Sequence, residues 1–179
     1  MKPFEASSPA VEVSGAAILS FVGGLGWRDP AAMRALANHG LAYPSADQWY
    51  KQQLWLDTFR EIAQTLGPNT LYMIGMQIPI NALFPAGISG IQAALAAIDP
   101  AYRMNHRGGE IGSYACTATG PNSATLVCDN PYPSDFDRGI IQAMANRYRP
   151  EGCQPKVALD LDRETRKSGG NSCTYRVTW

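Results

Sequence analysis

Asp129-Asn130-Pro131-Tyr132-Pro133-Ser134-Asp135-Phe136 joins an alternating segment to a helical one, and its reading sets the architecture of the whole chain. Two prolines two residues apart exclude a central strand, because each removes a ladder donor, and Asp and Asn favour turns. Before the stretch, Ala124–Cys128 reads as a short strand. After it, Phe136, Ile140, Ile141, Met144, Ala145 and Tyr148 recur at helical spacing. Asp135 and Asp137 put negative charge at the start of that helix, where it suits the dipole, and either Ser134 or Asp135 supplies the cap. The stretch is a strand-to-helix crossover.

Working outward, a hairpin lies on each side. Glu110–Ala118 and Ser123–Cys128 are joined by Thr119-Gly120-Pro121-Asn122, a strong hairpin signal. Beyond the helix, Val157, Leu159 and Leu161 alternate with Ala158 and Asp160. Cys173, Tyr175, Val177 and Trp179 alternate with Thr174, Arg176 and Thr178. Each strand thus has one face to bury, as an antiparallel sheet beside helices requires. Between these two strands Arg163, Arg166 and Lys167 are interleaved with Asp162 and Glu164, the pattern of a solvated hairpin tip.

The first half of the chain is helical. Met1–Ala10 reads as a loose polar arm. Val13–Val22 is a short helix of small residues, broken by Gly23, Gly24 and Gly26. Asp29-Pro30 starts a second helix, which ends at Gly40. Ser45 opens a third, with Asp47 in its first turn and a stripe of Trp49, Gln52, Leu56, Phe59 and Ala63 that Trp55, Ile62 and Leu66 widen. Gly67-Pro68-Asn69 stops it. Leu71–Ile78 is apolar on nearly every side and therefore predicts a buried helix. Ile88–Ala101 is another helix, interrupted near Asp99-Pro100. The fold class is α+β: a helical portion over residues 11–105 packed on a C-terminal antiparallel four-stranded sheet within residues 110–179, in a single domain of 179 residues.

Composition narrows the function. Fifteen basic residues balance fifteen acidic ones, so neither nucleic acid nor an anionic membrane is an expected partner. Val11–Gly26 holds Glu12 and four glycines and is too short and polar to span a bilayer. Without a secretion signal, the four cysteines are expected as reduced thiols in a cytoplasmic protein. A G-x-S-x-G elbow does not occur, and Gly23-Gly24-Leu25-Gly26 lacks the lysine and hydroxyl of a phosphate loop. Enzymatic activity is the least supported class.

The order of elements, and two local segments, resemble the vinyl-reductase-type domain superfamily. This group includes haem-based nitric oxide and oxygen sensors, aromatic-sensing domains of bacterial activators, and TRAPP tethering subunits. The segments are Asn130-Pro131-Tyr132 through Gly139, and Lys167-Ser168-Gly169-Gly170-Asn171-Ser172-Cys173-Thr174-Tyr175-Arg176-Val177-Thr178-Trp179. The topological likeness covers residues 46–179. It implies a ligand-binding domain with helices roofing a sheet. The aromatic-sensing branch implies a zinc site of three cysteines and an acid. Here Cys173 and Asp162 match two ligands, Thr165 and Ser134 stand where cysteines are expected, and Cys128 is the substitute candidate. Zinc wants four closely placed ligands. The haem branch implies an axial histidine and a tyrosine-serine-arginine motif. Only His39 and His106 are present, and Tyr102-Arg103 and Arg107 do not have that motif's spacing. The expectation is accordingly no cofactor, with zinc or haem as the less favoured alternatives.

The best candidate site is His106-Arg107-Gly108-Gly109-Glu110. It is either the polar anchor of a pocket, with His106 as hydrogen-bond partner or general base, or a helix-to-strand turn with Arg107 paired to Glu110. Trp49, Tyr50, Trp55, Phe59, Tyr72, Met73 and Met76 supply core and, in part, pocket walls. The expected binding set is His106, Tyr102, Arg107, Trp55, Phe59, Tyr72 and Met76. It serves a sensor-like domain that encloses a small apolar or aromatic molecule between helices and sheet and signals through a protein partner or as a homodimer. The alternatives are an assembly module with a filled core, or an enzyme using the same pocket.

Overall fold

A computed structural model describes residues 1–25 and 30–179. In chain order the elements are β1 (Glu12–Ser14), α1 (Gly15–Leu25), α2 (Pro30–Asn38), β2 (Trp49–Lys51), α3 (Gln52–Thr65), α4 (Pro68–Asn81), α5 (Gly90–Ala96) and α6 (Ile98–Met104). Then follow β3 (His106–Arg107), β4 (Ser113–Gly120), β5 (Ser123–Asp129), α7 (Ser134–Arg147), β6 (Lys156–Leu159), a 3₁₀ turn (Arg166–Ser168) and β7 (Cys173–Thr178).

The α+β class holds. The larger sheet is antiparallel in the order β4-β5-β7-β6, with Leu126 opposite Tyr175 and Val157 opposite Val177. Alternation does what it should: Ala124, Leu126 and Cys128 and, opposite them, Cys173, Tyr175 and Val177 are buried, and the helices cover that face. α4 packs against both α7 and α1. Gly75 and Gly139 let the backbones of α4 and α7 touch, since a Cβ on either would sit within 2.3 Å of a carbonyl of the other helix.

A second sheet, β2-β1-β3, is absent from the sequence reading. Glu12 pairs with Lys51, Ser14 with Trp49, and Val13 with His106. Strands of two and three residues carry no measurable period, so Val13 and Trp49 were absorbed into neighbouring helices. The third helix consequently starts at Gln52 rather than Ser45, and the first at Gly15. The first helix also continues through Gly23 and Gly24 to Leu25; Gly26 and Asp29 lie outside the described residues.

Other expectations need correction. α4 begins at Pro68, in the tolerated first turn, so Gly67, with φ of +80°, makes the break alone. That helix is not buried all round, for Met73 is 46% and Ile80 65% exposed. Met1–Ala10 is not loose. The Phe4 amide donates to the Pro131 carbonyl at 2.8 Å, the Gln53 side chain accepts from the Ala6 amide at 2.9 Å, and the N-terminal amine meets Asp129. β6 ends before Leu161, which is 80% exposed, while Asp160 turns inward to take Arg176 at 2.7 Å. Arg166 is no part of a solvated tip; it is buried. Among the described residues no helix is long and apolar enough to cross a membrane.

Candidate functional site

The small second sheet exists, in effect, to hold His106. Pairing of β3 with β1 draws the residues after α6 inward, and His106 lands buried between α6 and the crossover. Its Nδ1–H donates to the Tyr102 carbonyl at 2.8 Å, which fixes the tautomer because a carbonyl only accepts. Nε2 therefore keeps its lone pair and accepts from the Tyr132 hydroxyl at 2.6 Å. The Gln52 amide donates to that same hydroxyl at 3.4 Å, and the Gln52 carbonyl oxygen is buried without a partner. Burial pushes the His106 pKa down to about 4, against the smaller opposing effect of its bond to the Tyr102 carbonyl. Burial also pushes the Tyr132 hydroxyl up. Both rings are neutral near pH 7, and the pair is a fixed, uncharged hydrogen-bond unit.

Beside this pair is a cavity of about 40 Å³, lined by Val13, Ala17, Trp55, Ile78, Ala82, Phe84, Ile98, Ala101, Tyr102, Asn105, His106, Tyr114, Tyr132, Phe136 and Ile140. It lies between the helical portion and the sheet. Aromatic rings make its walls stiff: Tyr102 stacks 4.3 Å from His106 and meets Tyr114 edge-on at 5.2 Å. The Tyr102 hydroxyl donates to the Ile111 carbonyl, so it offers the cavity a ring rather than a donor.

Of the expected binding residues, Trp55, Tyr102 and His106 are brought together around the cavity. Phe59 stands one layer behind, 4.7 Å from Phe136 and 5.7 Å from Tyr132. Three others are elsewhere. Arg107 points outward, bonded at 2.8 Å to Glu12 and lying over Trp49, so its acid is Glu12 and not Glu110. Tyr72 lies under Arg138, 4.6 Å from ring centre to guanidinium. Met76 lines a surface groove with Pro79, Ile80 and Arg147. Of the zinc candidates, Cys128 and Cys173 stand opposite each other on β5 and β7, with Ser134 Oγ 3.1 Å from the Cys173 sulfur, but Asp162 does not join them: it is exposed and bonded to Arg176 at 3.0 Å. No group of three potential metal ligands occurs among the described residues.

The sequence reading missed Tyr132, Tyr114 and Asn105 as site residues. Tyr132 had a signal: it is the one aromatic between the two prolines of the crossover. It also missed the polar group behind the floor. Asp137, wholly buried, accepts from Arg166 Nη1 at 2.7 Å, from the Tyr114 hydroxyl at 2.6 Å and from Asn130 at 3.4 Å. Burial pushes the Asp137 carboxyl up, while Arg166, Tyr114 and Asn130 oppose that shift.

No family model matches the sequence, and no curated protein is similar to it in sequence. Solved structures are similar in shape. An H-NOX protein studied for haem distortion superposes with a TM-score of 0.66 at 13% identity, over 93% of this chain and 94% of that one. The S. oneidensis H-NOX protein in its Fe(II)NO state gives 0.65 at 10% identity, over 92% and 97%. The unliganded Fe(II) H-NOX protein from K. algicida gives 0.64 at 11%, over 92% and 95%. The fold is the H-NOX fold. Of the resemblance drawn from sequence, these structures bear out the haem-NO-binding-like fold alone.

This corrects the expectation that no cofactor is at issue, because the structures sharing the fold are those of haem proteins. The fit of this H-NOX fold to a haem is decided by its side chains. His106 has the right tautomer for an axial ligand, with Nε2 unprotonated, but that lone pair already accepts from Tyr132. Among the described residues neither Arg nor Lys lines the cavity, so none of them sets a cation against a propionate, and Arg166 is engaged by Asp137. At about 40 Å³ the space is well below the roughly 150 Å³ apolar cavity that admits a benzene. As packed, the site does not fit a macrocycle, nor an aromatic ligand.

Proposed function

We propose that this chain is a small-molecule-binding, sensor-like domain whose site is the cavity beside His106. The observation that carries the reading is an apolar-walled cavity within an H-NOX fold, with one neutral imidazole–hydroxyl pair at its edge. Such walls reward apolar contact and leave a charged ligand without compensation. The cavity volume sets the ligand at a few heavy atoms, the size of a diatomic gas or a xenon atom. The S. oneidensis protein of the same fold holds nitric oxide on its iron. Output passes to a protein partner or a second copy, as in the expectation from sequence.

The same small volume favours one competing reading, an interaction module with a filled core, since ligand sites usually measure roughly 300–1,000 Å³. Methyl NMR of the purified protein under xenon separates them. Xenon shifts confined to Ile78, Ile98, Ala101 and Ile140 support a ligand site. Their absence overturns it.

A further inference from the structure

The cavity's walls are not equally thick. Among the residues around it, all are buried except Ala82 and Phe84. These two flank Leu83, which is 51% exposed, on the irregular segment between α4 and α5. The wall at residues 82–84 is therefore one residue deep, with solvent on one side and the cavity on the other.

Among the described residues, one side chain hydrogen-bonds that wall's backbone at Leu83. Asn105, 4% exposed, accepts from the Leu83 amide at 3.3 Å and donates to the Leu83 carbonyl at 2.9 Å. Its remaining capacity goes to fixed structure: Oδ1 also accepts from Ser14 Oγ at 2.8 Å, and Nδ2 donates to the Ala101 carbonyl at 2.8 Å. Each oxygen lone pair and each amide hydrogen of Asn105 is thus used. Two of the four bonds anchor it to β1 and α6, and two grip the strap. Asn105 also precedes His106 directly, so the grip and the ligand-facing imidazole share one backbone segment. Downstream, Gly87 and Gly90 have φ of +75° and +78° with nothing within 4 Å of where a Cβ would be.

We infer that residues 82–84 form the entry strap of the cavity and that Asn105 is its latch, so that ligands pass only when the Leu83–Asn105 pair opens. The inference rests on the cavity being the ligand site, but its test does not. Carbethoxylation by diethyl pyrocarbonate at pH 7 attacks neutral imidazole, and mass spectrometry resolves His106 from the part-exposed His39, which serves as the internal reference. In the wild type, buried His106 is expected to react far more slowly than His39. Asn105→Ala and, independently, Phe84→Ala are expected to accelerate His106 at least tenfold with His39 unchanged. The Asn105 variant should also speed hydrogen exchange of the Leu83 amide, with Leu126 in the central strand unmoved. If Asn105→Ala does not fold, Phe84→Ala decides alone. A folded Phe84 variant with His106 as slow as in the wild type overturns the strap. Absence of xenon binding in the wild type, with His106 still accelerated in the variants, overturns the function proposed above and leaves the strap intact.

Discussion

Arg166 Nη1 lies 2.7 Å from Asp137 Oδ2, with the two side chains 3% and 0% exposed. Arg166 comes from the turn before β7 and Asp137 from the first turn of α7, so the pair ties the last strand to the crossover. A buried ion pair repays its desolvation only when both partners are present and further bonded. Tyr114 and Asn130 complete the carboxylate, and the Cys128 carbonyl accepts from the guanidinium. Arg166→Met alone should therefore cost about 3–5 kcal/mol, and Asp137→Leu a similar amount, because each strands a buried charge. The double variant should recover much of the loss. Urea unfolding measures all three, and single-variant losses under about 1 kcal/mol would show the pair to be solvated in solution.

The same burial gives His106 a pH signature. Its pKa is pushed from 6.5 to about 4, so between those values the unfolded chain holds more protons than the folded one. His106 therefore contributes fully above about pH 6.5, and that contribution is lost as the pH falls toward 4. At about 1.4 kcal/mol per unit the whole effect approaches roughly 3 kcal/mol. His106→Gln should flatten the stability profile in that window while leaving its shape above pH 7 unchanged. An unchanged acid limb would place a protonated imidazole inside the fold.

How much of this was legible in sequence follows from what carries a period. Val157–Leu159 and Cys173–Trp179 alternate cleanly, and the Asn130–Pro133 turn has no other use than a crossover, so the larger sheet and α7 could be read. His106 stood out as one of only two histidines, beside paired glycines. The second sheet could not be read, since Glu12–Ser14 and His106–Arg107 are too short to alternate, yet that sheet is what turns His106 inward. Arg166 was misjudged because charged neighbours on a turn are usually solvated. Only the tertiary position of Asp137, which read as a charge for the helix dipole, makes its burial possible. Tyr72 and Met76 share a helix with cavity-lining Ile78 but occupy other faces of it, and a helix that is apolar nearly all round hides which face is which.

The cysteines offer an ordered chemical test. Cys153 and Cys116 are half-buried, and Cys128 and Cys173 are buried. Burial pushes the thiols of Cys116 and Cys128 up, and the thiolate is the reacting species. With N-ethylmaleimide at pH 7.5, peptide mapping should show Cys153 labelled first and Cys116 more slowly. Cys128 and Cys173 should react only after denaturation. Early labelling of Cys173 would mean that β7 separates from α7 in the native protein.

Gly139 tests the seam that shapes the cavity from the other side. A Cβ there would stand 2.3 Å from the Tyr72 carbonyl oxygen and 2.9 Å from the Gly75 Cα. Those atoms are backbone, so no rotamer change relieves the clash. Alanine is the better helix former by up to about 1 kcal/mol, and if propensity governed, Gly139→Ala would stabilise α7. Overpacking of this kind typically costs about 1–3 kcal/mol, and with backbone on both sides the upper end is expected. The clash wins, and α7 must move off α4. Because Phe136 and Ile140 ride on α7 while Ile78 rides on α4, that movement widens the cavity they line. Gly139→Ala should thus lower the melting temperature and raise xenon uptake together. Gly40→Ala, with φ of +76° and open space around it, should cost only the left-handed strain of about 1–2 kcal/mol and leave uptake unchanged. A Gly139 variant as stable as the wild type would show that the helices do not meet at these two glycines.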